Sequence, residues 1–377
     1  MVYKLGVVGL GHWFEMLHVG MLSDQKVRLK KVAGVRSFNE KKESLENLGI
    51  SRSDYYQVGK NPNILPKKFL EDIDMVQISD PNKYHFAQTK QALEKDLYVI
   101  TEKTWATNKK DFYEFIDFLK SNRYTDKAYL HLHYVHKLLT IKLPSILAMI
   151  TPKHGRIEKF SATFFEEANE ADRMRSGWIF GMESGGIFMD WIHPYEILFI
   201  GAKASEVRLH KANNFLVNQN YDKNNPTGVE AFVSAKGLNF APDAKGVIRI
   251  GKGLPHNTGL KRFIFLFESG AKLYLNFVGS QIEYNSDNRG NWQFVKENEK
   301  SCKILSAEIP KGPLTSSMLM EDINKLLGGK GPSLKINDVI KIFGPQWEYQ
   351  EKARKQGVIA DRGNIERFIH EGISSNM

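Results

Sequence analysis

Two hydrophobic periods alternate along the first 125 residues. Short apolar, β-branched runs at 4–8, 31–35, 75–79 and 98–101 read as buried strands. Between them, 13–23, 39–48, 84–95 and 109–121 carry apolar residues at helical spacing. In the last of these Asn108 stands where an N-cap belongs, and Phe112, Phe115, Ile116 and Leu119 share one face. Strands and amphipathic helices in this order predict βαβ units. The fold class expected for residues 1–125 is α/β, a doubly wound parallel Rossmann sheet with helices on both faces.

The rhythm then changes. Segments near 156–165, 203–211, 229–236, 246–251, 262–268, 271–278, 281–285 and 291–296 read as strands with few helices between them. Glu268-Ser269-Gly270-Ala271 reads as a hairpin loop in which Gly270 supplies a positive φ. The polar stretch 218–227, with Pro226, reads as an exposed loop, and helices are expected at 183–200, 314–327 and 337–355. Residues 126–377 are therefore expected to form an α+β domain with a large, mostly antiparallel open sheet, serving substrate binding and oligomerisation. Its C-terminal helices could pack back on the first domain.

At 377 residues, with 42% hydrophobic and 25% charged, the chain is long and apolar enough for two cores, which excludes disorder and fibrous repeats. The formal charge of +10 is scattered in small clusters such as Arg28 to Lys31, Lys67-Lys68 and Lys109-Lys110. A solvated basic surface explains most of it, and attraction of phosphorylated or acidic compounds remains open. No Arg/Lys stripe interleaved with aromatics points to nucleic acid. No stretch approaches the roughly 18 apolar residues of a membrane span. Cys302 is the single cysteine, so no intrachain disulfide forms. With no secretory pattern at the N-terminus, the expected setting is the cytoplasm.

The first chemical signal is Gly6-Val7-Val8-Gly9-Leu10-Gly11-His12-Trp13-Phe14, a buried strand running into Gly-x-Gly and a helix. Gly9 permits the tight turn, and Gly11 lets backbone N–H groups approach a pyrophosphate. Phe14 stands where a third Gly or Ala is usual. The second strand ends at Val35-Arg36-Ser37, where an NAD binder offers a carboxylate to the ribose 2′-hydroxyl. Arg36 and Ser37 invert that logic and favour NADP, with NAD still possible.

Three further segments follow in order: Ser79-Asp80-Pro81-Asn82-Lys83-Tyr84-His85, Glu102-Lys103-Thr104, and Gly185-Gly186-Ile187-Phe188-Met189-Asp190-Trp191-Ile192-His193. With the opening glycines they resemble, along the whole chain, the Gfo/Idh/MocA family. That family is named for glucose-fructose oxidoreductase, inositol dehydrogenase and a rhizopine-catabolism protein. The resemblance implies an NAD(P)-dependent oxidoreductase moving a hydride between a nicotinamide and a hydroxyl or carbonyl carbon of a sugar, polyol or related compound. Lys103 matches the family's active-site lysine, and Asp190 and His193 its Asp and His, the His being the proton carrier. Ser79, Pro81, Asn82, His85, Glu102 and Lys103 then join Gly9, Gly11, His12, Trp13, Arg36 and Ser37 around the cofactor. A homodimer or homotetramer is implied as well.

The chain departs from the family at two motifs. Thr104 replaces the proline that commonly follows a cis peptide, so either the loop differs or the bond stays cis. The usual Asp-x-x-x-His is shortened to Asp-x-x-His, which leaves open whether Asp190 or a neighbour fills the Asp role. Spacing of three puts Asp190 and His193 on one helix face. Pro194 suggests that the helix starts there, with His193 as its N-cap.

Among the remaining candidates, His133 and Lys137 are expected to bind substrate, in a stretch that also holds His131 and His136. Arg173 and Trp178 are further substrate contacts, with Arg175 beside them. Tyr84 and Trp105 either pack near the nicotinamide or fill the core. His-x-His invites a metal, but no acidic partner stands at ligand spacing, so none is expected. Two rival readings of the same scaffold remain: a glycoside hydrolase or lyase that oxidises its substrate transiently on held NAD, and a non-catalytic NAD(P)-binding regulator.

Overall fold

The computed structural model describes residues 2–11, 22, 25–167, 186–218, 226–278, 291–295, 323–329, 334–353 and 355–374. The strand expected at 281–285, nearly all of the helix at 13–23, and most of 218–227 and 314–327 lie outside the described residues, as do His12, Trp13, Arg173, Arg175 and Trp178. Two compact units are present, Met1–Leu132 with Pro313–Ile336, and His133–Gly312 with Asn337–Met377.

The first unit holds a parallel sheet of β1 (Tyr3–Val8), β2 (Val27–Gly34), β3 (Tyr55–Gln57), β4 (Met75–Ile78), β5 (Tyr98–Glu102) and β6 (Ala128–His131). The strand order is β3-β2-β1-β4-β5-β6, with every neighbouring pair parallel. The helices α1 (Lys42–Asn47), α2 (Asn82–Glu94) and α3 (Lys109–Ser121) connect strands. A 3₁₀ turn at Asn39–Lys41 precedes α1 and accounts for the start of the expected helix at 39–48.

Both faces of this sheet are covered, which is why β4 is buried at every position and reads as an unbroken apolar run. Helix α3 starts as its sequence demands: the Asn108 side chain accepts from the Asp111 N–H at 2.9 Å. Phe112, Phe115, Ile116 and Leu119 are its buried residues. Leu5, Val7, Val32, Met75, Ile100 and Tyr129 form a core with Ile323 and Leu326, so the short helix over 323–327 belongs to this unit.

The second unit contains α4 (Leu138–His154), β7 (Ile157–Glu167), α5 (Ile192–Glu196), β8 (Ala204–Phe215), β9 (Gly228–Gly237), β10 (Phe240–Leu254), β11 (Leu260–Phe267), β12 (Lys272–Val278), β13 (Asn291–Val295), α6 (Ile336–Ala353), β14 (Val358–Ile359) and α7 (Arg362–Ile373). Among the described residues the sheet order is β13-β12-β11-β7-β10-β9-β8-β14. Only β7 with β10 and β8 with β14 pair in parallel; the other pairs are antiparallel.

Successive strand residues face opposite ways, so Phe164 and Phe165 serve different layers. Phe164 meets Tyr134, Phe263 and Phe277 on one face. Phe165 meets Phe368 of α7 on the other, with ring centroids 5.1 Å apart. There Thr163 Oγ1 donates to Gly372 O at 3.2 Å, and Arg249 bonds Glu371 at 2.8 Å. The β11–β12 hairpin turns as expected, with Gly270 at φ +82°.

Five elements were not expected from the sequence, among them the two-residue β14. Strand β3 has only three residues, β6 lies past residue 125, α7 has a modest apolar stripe, and α4 contains Pro144 and Pro152. The described ends of the 218–227 loop are also buried and not exposed. Asn218 N–H donates to Thr227 Oγ1 at 2.9 Å, and Thr227 has no exposed surface.

Replacing Asn108 with Ala removes one cap bond and is expected to lower stability by about 1 kcal/mol. Phe115→Ala empties a fully buried ring site and is expected to cost about 3–5 kcal/mol. Urea unfolding of both variants followed by circular dichroism checks the ratio. Equal losses would mean that α3 is held by something other than its apolar face.

Candidate active site

In the first unit the strand order reverses between β1 and β4, the place where open parallel sheets bind ligands at their carboxyl ends. Gly9 follows β1 with φ +87°, and a Cβ there would stand 2.8 Å from both Asp80 N and Asp80 Oδ1. Gly9 must therefore be glycine because the β4 loop crosses directly over it. Ser79 fastens that crossing, its Oγ donating to Gly9 O at 2.7 Å and its N–H to Val8 O at 2.9 Å. Around Gly11 a Cβ would meet no atom of the described residues within 4 Å. The arrangement fits a dinucleotide pyrophosphate.

Past β2, Arg36 is exposed and Ser37 partly so. Ser37 donates through both N–H and Oγ to Glu40 Oε2, each at 2.7 Å, and Tyr55 OH bonds Arg36 O. These bonds hold the Glu40 carboxyl below the usual carboxylate range. Ser37 and Glu40 form a reciprocal cap on the turn that opens α1.

His85 of α2 is completely buried and stands behind the loops. Its Nε2 lies 2.6 Å from Asp80 O and its Nδ1 2.7 Å from Thr104 O, so one ring spans the two loops. Burial pulls its pKa down, against the carbonyl bonds and the nearby Asp80 and Glu102 charges. Burial pushes the Asp80 carboxyl up, and the 2.8 Å bond from Gln88 Nε2 opposes it.

Pro81 caps α2 and Asn82 begins it; Glu102, at the end of β5, is buried. Lys103 is partly exposed, and the Lys103–Thr104 peptide is cis. Trp105 packs in the core with its ring 5.2 Å from Phe115, while Tyr84 is partly exposed beneath Lys83 Nζ.

In the second unit a 3₁₀ turn at Gly186–Met189 leads through Asp190 and Trp191 into α5. His193 lies inside α5, whose N-cap is Trp191, two residues before the expected cap. The shift arises because Pro194 needs no partner for its nitrogen in a first helical turn. Asp190 and His193 do share a face: His193 Nε2 is 3.6 Å from Asp190 Oδ1. His193 Nδ1 lies 2.9 Å from Glu196 Oε1, and the other Glu196 oxygen accepts from Val135 N–H at 3.0 Å. A neutral imidazole has one N–H, and the Glu196 carboxylate claims it at Nδ1. The Nε2 lone pair then faces Asp190.

Tyr134 closes over His193 at 4.5 Å between ring centroids, and His133 lies at 5.7 Å. His133, His136 and Lys137 are buried in this unit, while His131 ends β6 in the first. Behind the turn Trp191 stacks on Tyr349 of α6 at 4.5 Å and donates to Tyr195 OH at 3.0 Å, and burial pushes the Tyr195 hydroxyl up.

Three more charged residues reach this cluster, none of them anticipated. Lys252 of β10 pairs with Asp190 Oδ2 and lies 3.7 Å from Glu166 of β7; Lys261 of β11 closes on Glu166 from the other side. Burial would raise the Glu166 carboxyl, but the two ammonium charges outweigh it and hold it low. Burial draws the Lys261 ammonium down, against Glu166. Only Glu196 had a readable signal, its helical spacing of three from His193. Among the described residues no group of three or more His, Cys, Asp or Glu could hold a metal ion, and no helix is long and apolar enough to cross a membrane.

Residues 3–125 match the GFO_IDH_MocA model, described as an oxidoreductase family with an NAD-binding Rossmann fold. No curated protein sequence matches the chain. Among solved structures, a mutant of KijD10, a 3-ketoreductase from Actinomadura kijaniata in complex with TDP-benzene and NADP, is similar with a TM-score of 0.71 at 15% identity, covering 96% of this chain and 100% of that one. The UDP-N-acetylglucosamine 3-dehydrogenase GnnA from Acidithiobacillus ferrooxidans gives 0.64 at 12% identity, covering 94% and 100%. An aldose-aldose oxidoreductase from Caulobacter crescentus, complexed with glycerol, gives 0.69 at 14% identity, covering 99% and 98%. These likenesses extend the shared fold to both units. Over residues 3–125 the chain is thus similar to the Gfo/Idh/MocA oxidoreductases with an NAD-binding Rossmann fold.

Proposed function

We propose that this protein oxidises or reduces a carbinol carbon of a sugar, polyol or related compound, with NADP(H) as the preferred cofactor. The observation that carries the reading is the buried Asp190, His193 and Glu196 constellation, which supplies a proton acceptor of fixed tautomer. The nicotinamide, when bound, supplies the hydride chemistry. Gly9, Gly11 and Ser79 shape the loop for its pyrophosphate, and Arg36 faces its adenosine ribose. His193 Nε2 takes the hydroxyl proton during oxidation and returns it during reduction. Lys103 donates to the substrate oxygen as alkoxide character develops. His85 acts through Thr104 and Asp80, holding the Lys103 loop in place.

His133 and Lys137 are assigned to substrate. KijD10 is solved with TDP-benzene, and GnnA is named for a UDP-sugar, so nucleotide-linked sugars head the substrate class. The net charge of +10 suits such anions. A homo-oligomer formed through the second unit's sheet and a cytoplasmic setting complete the reading.

The NADP preference rests on Arg36 against a counterweight, since Glu40 occupies both Ser37 donors. A carboxylate about 4 Å from a 2′-phosphate costs about 1 kcal/mol in water. Glu40→Gln is therefore expected to tighten NADPH roughly five-fold with little effect on NADH. Arg36→Met is expected to weaken NADPH about ten-fold. Fluorescence titration checks both; if the two cofactors respond alike, the loop does not read the phosphate.

His193→Ala and Lys103→Ala are each expected to lower turnover by about 10²–10⁴-fold. Steady-state rates on UDP- and TDP-sugars with NADP, for variants folded by circular dichroism, check the roles. Near-normal turnover in either variant would remove that residue from the chemistry.

A further inference from the structure

An imidazole flanked by two carboxylates has a problem: both neighbours favour its cation, and an imidazolium has no lone pair with which to take a proton. We propose that Lys252 is a positioning residue that aims Asp190, balances its charge and so keeps His193 a working base near neutrality. This deepens the reading of His193 as proton carrier and rests on it.

The geometry is a row of alternating charge. Lys261 of β11 meets Glu166 of β7, Glu166 faces Lys252 of β10, and Lys252 meets Asp190, whose other oxygen faces His193. Glu196 closes the row behind Nδ1. Strand register builds the middle of it, because Lys252 and Glu166 are direct partners in the parallel β7–β10 pair. Among the described residues, the rings of Tyr134, His133 and Phe164 also pack against His193.

Two consequences have opposite signs. Without the Lys252 ammonium, Asp190 acts on His193 unopposed and holds the proton on Nε2. Without the Glu166 carboxylate, the two lysines oppose Asp190 more strongly, and the proton leaves Nε2 more easily.

The test is an NMR pH titration of the imidazole C–H signals in the full-length protein, with His193 identified by the signal missing in His193→Gln. Lys252→Met is expected to raise the His193 midpoint by about one pH unit, and Lys252→Arg to restore it. Glu166→Gln is expected to lower it. An unmoved midpoint in folded Lys252→Met overturns the proposal. If that variant does not fold, Glu166→Gln decides: a lowered midpoint supports the proposal and an unmoved one overturns it. The midpoint is read without substrate, so it stands apart from the base assignment, which fails only if His193→Ala keeps its turnover.

Discussion

A carboxylate taken out of water needs an opposite charge or hydrogen-bond donors, and the second unit buries several of them. Glu196 is fully buried and Asp190 is 6% exposed. Each is answered differently. Glu196 receives a backbone N–H from Val135 and the N–H of His193, Asp190 receives Lys252, and Glu166 receives Lys261. Glu230, on the other side of the sheet, receives Arg249. These partners sit on different strands, so the pairing needs β7, β10 and β11 in their observed register. Chemistry and sheet assembly are therefore one problem in this unit: a slip of one residue would send Lys252 to the wrong face.

The first unit meets a constraint of backbone space. The loop after β4 passes so close to Gly9 that no side chain fits, and Ser79 and His85 fix its path with bonds to carbonyl oxygens. The other His85 nitrogen lies 2.7 Å from Thr104 O, beside Lys103. A motif that reads as cofactor contact thus contains residues of two kinds. Gly11 meets none of the described residues, while Ser79 and His85 are spent on holding the chain in position.

What the sequence revealed follows the range of the interactions. Helix α3 was legible because its cap and apolar stripe are local, and β1, β4 and β5 because buried parallel strands are short apolar runs. Helix α4 was hidden by its own prolines, and β3 by its brevity. At the site, Asp190 and His193 were visible through their spacing. Lys252, Glu166 and Lys261 were not, because only the pairing of distant strands brings them together. The burial of Asn218 and Thr227 escaped for a related reason: polar residues that bond each other inside the fold look the same in sequence as polar residues in water.

The loop after β2 shows two demands on the same atoms. Starting α1 requires an acceptor for the free N–H groups of the turn, and Glu40 with Ser37 provides a reciprocal cap. Reading a 2′-phosphate requires those Ser37 donors to turn to the ligand and a cation to stand by, which Arg36 supplies. The cap is exposed, and an exposed carboxylate loses little by moving into water. A dianionic phosphate brings more charge to the same donors and adds Arg36 as a partner that Glu40 need not share. On the proposed reading a 2′-phosphate would displace Glu40, and the loop would discriminate by an exchange of acceptors on Ser37 instead of by a preformed pocket.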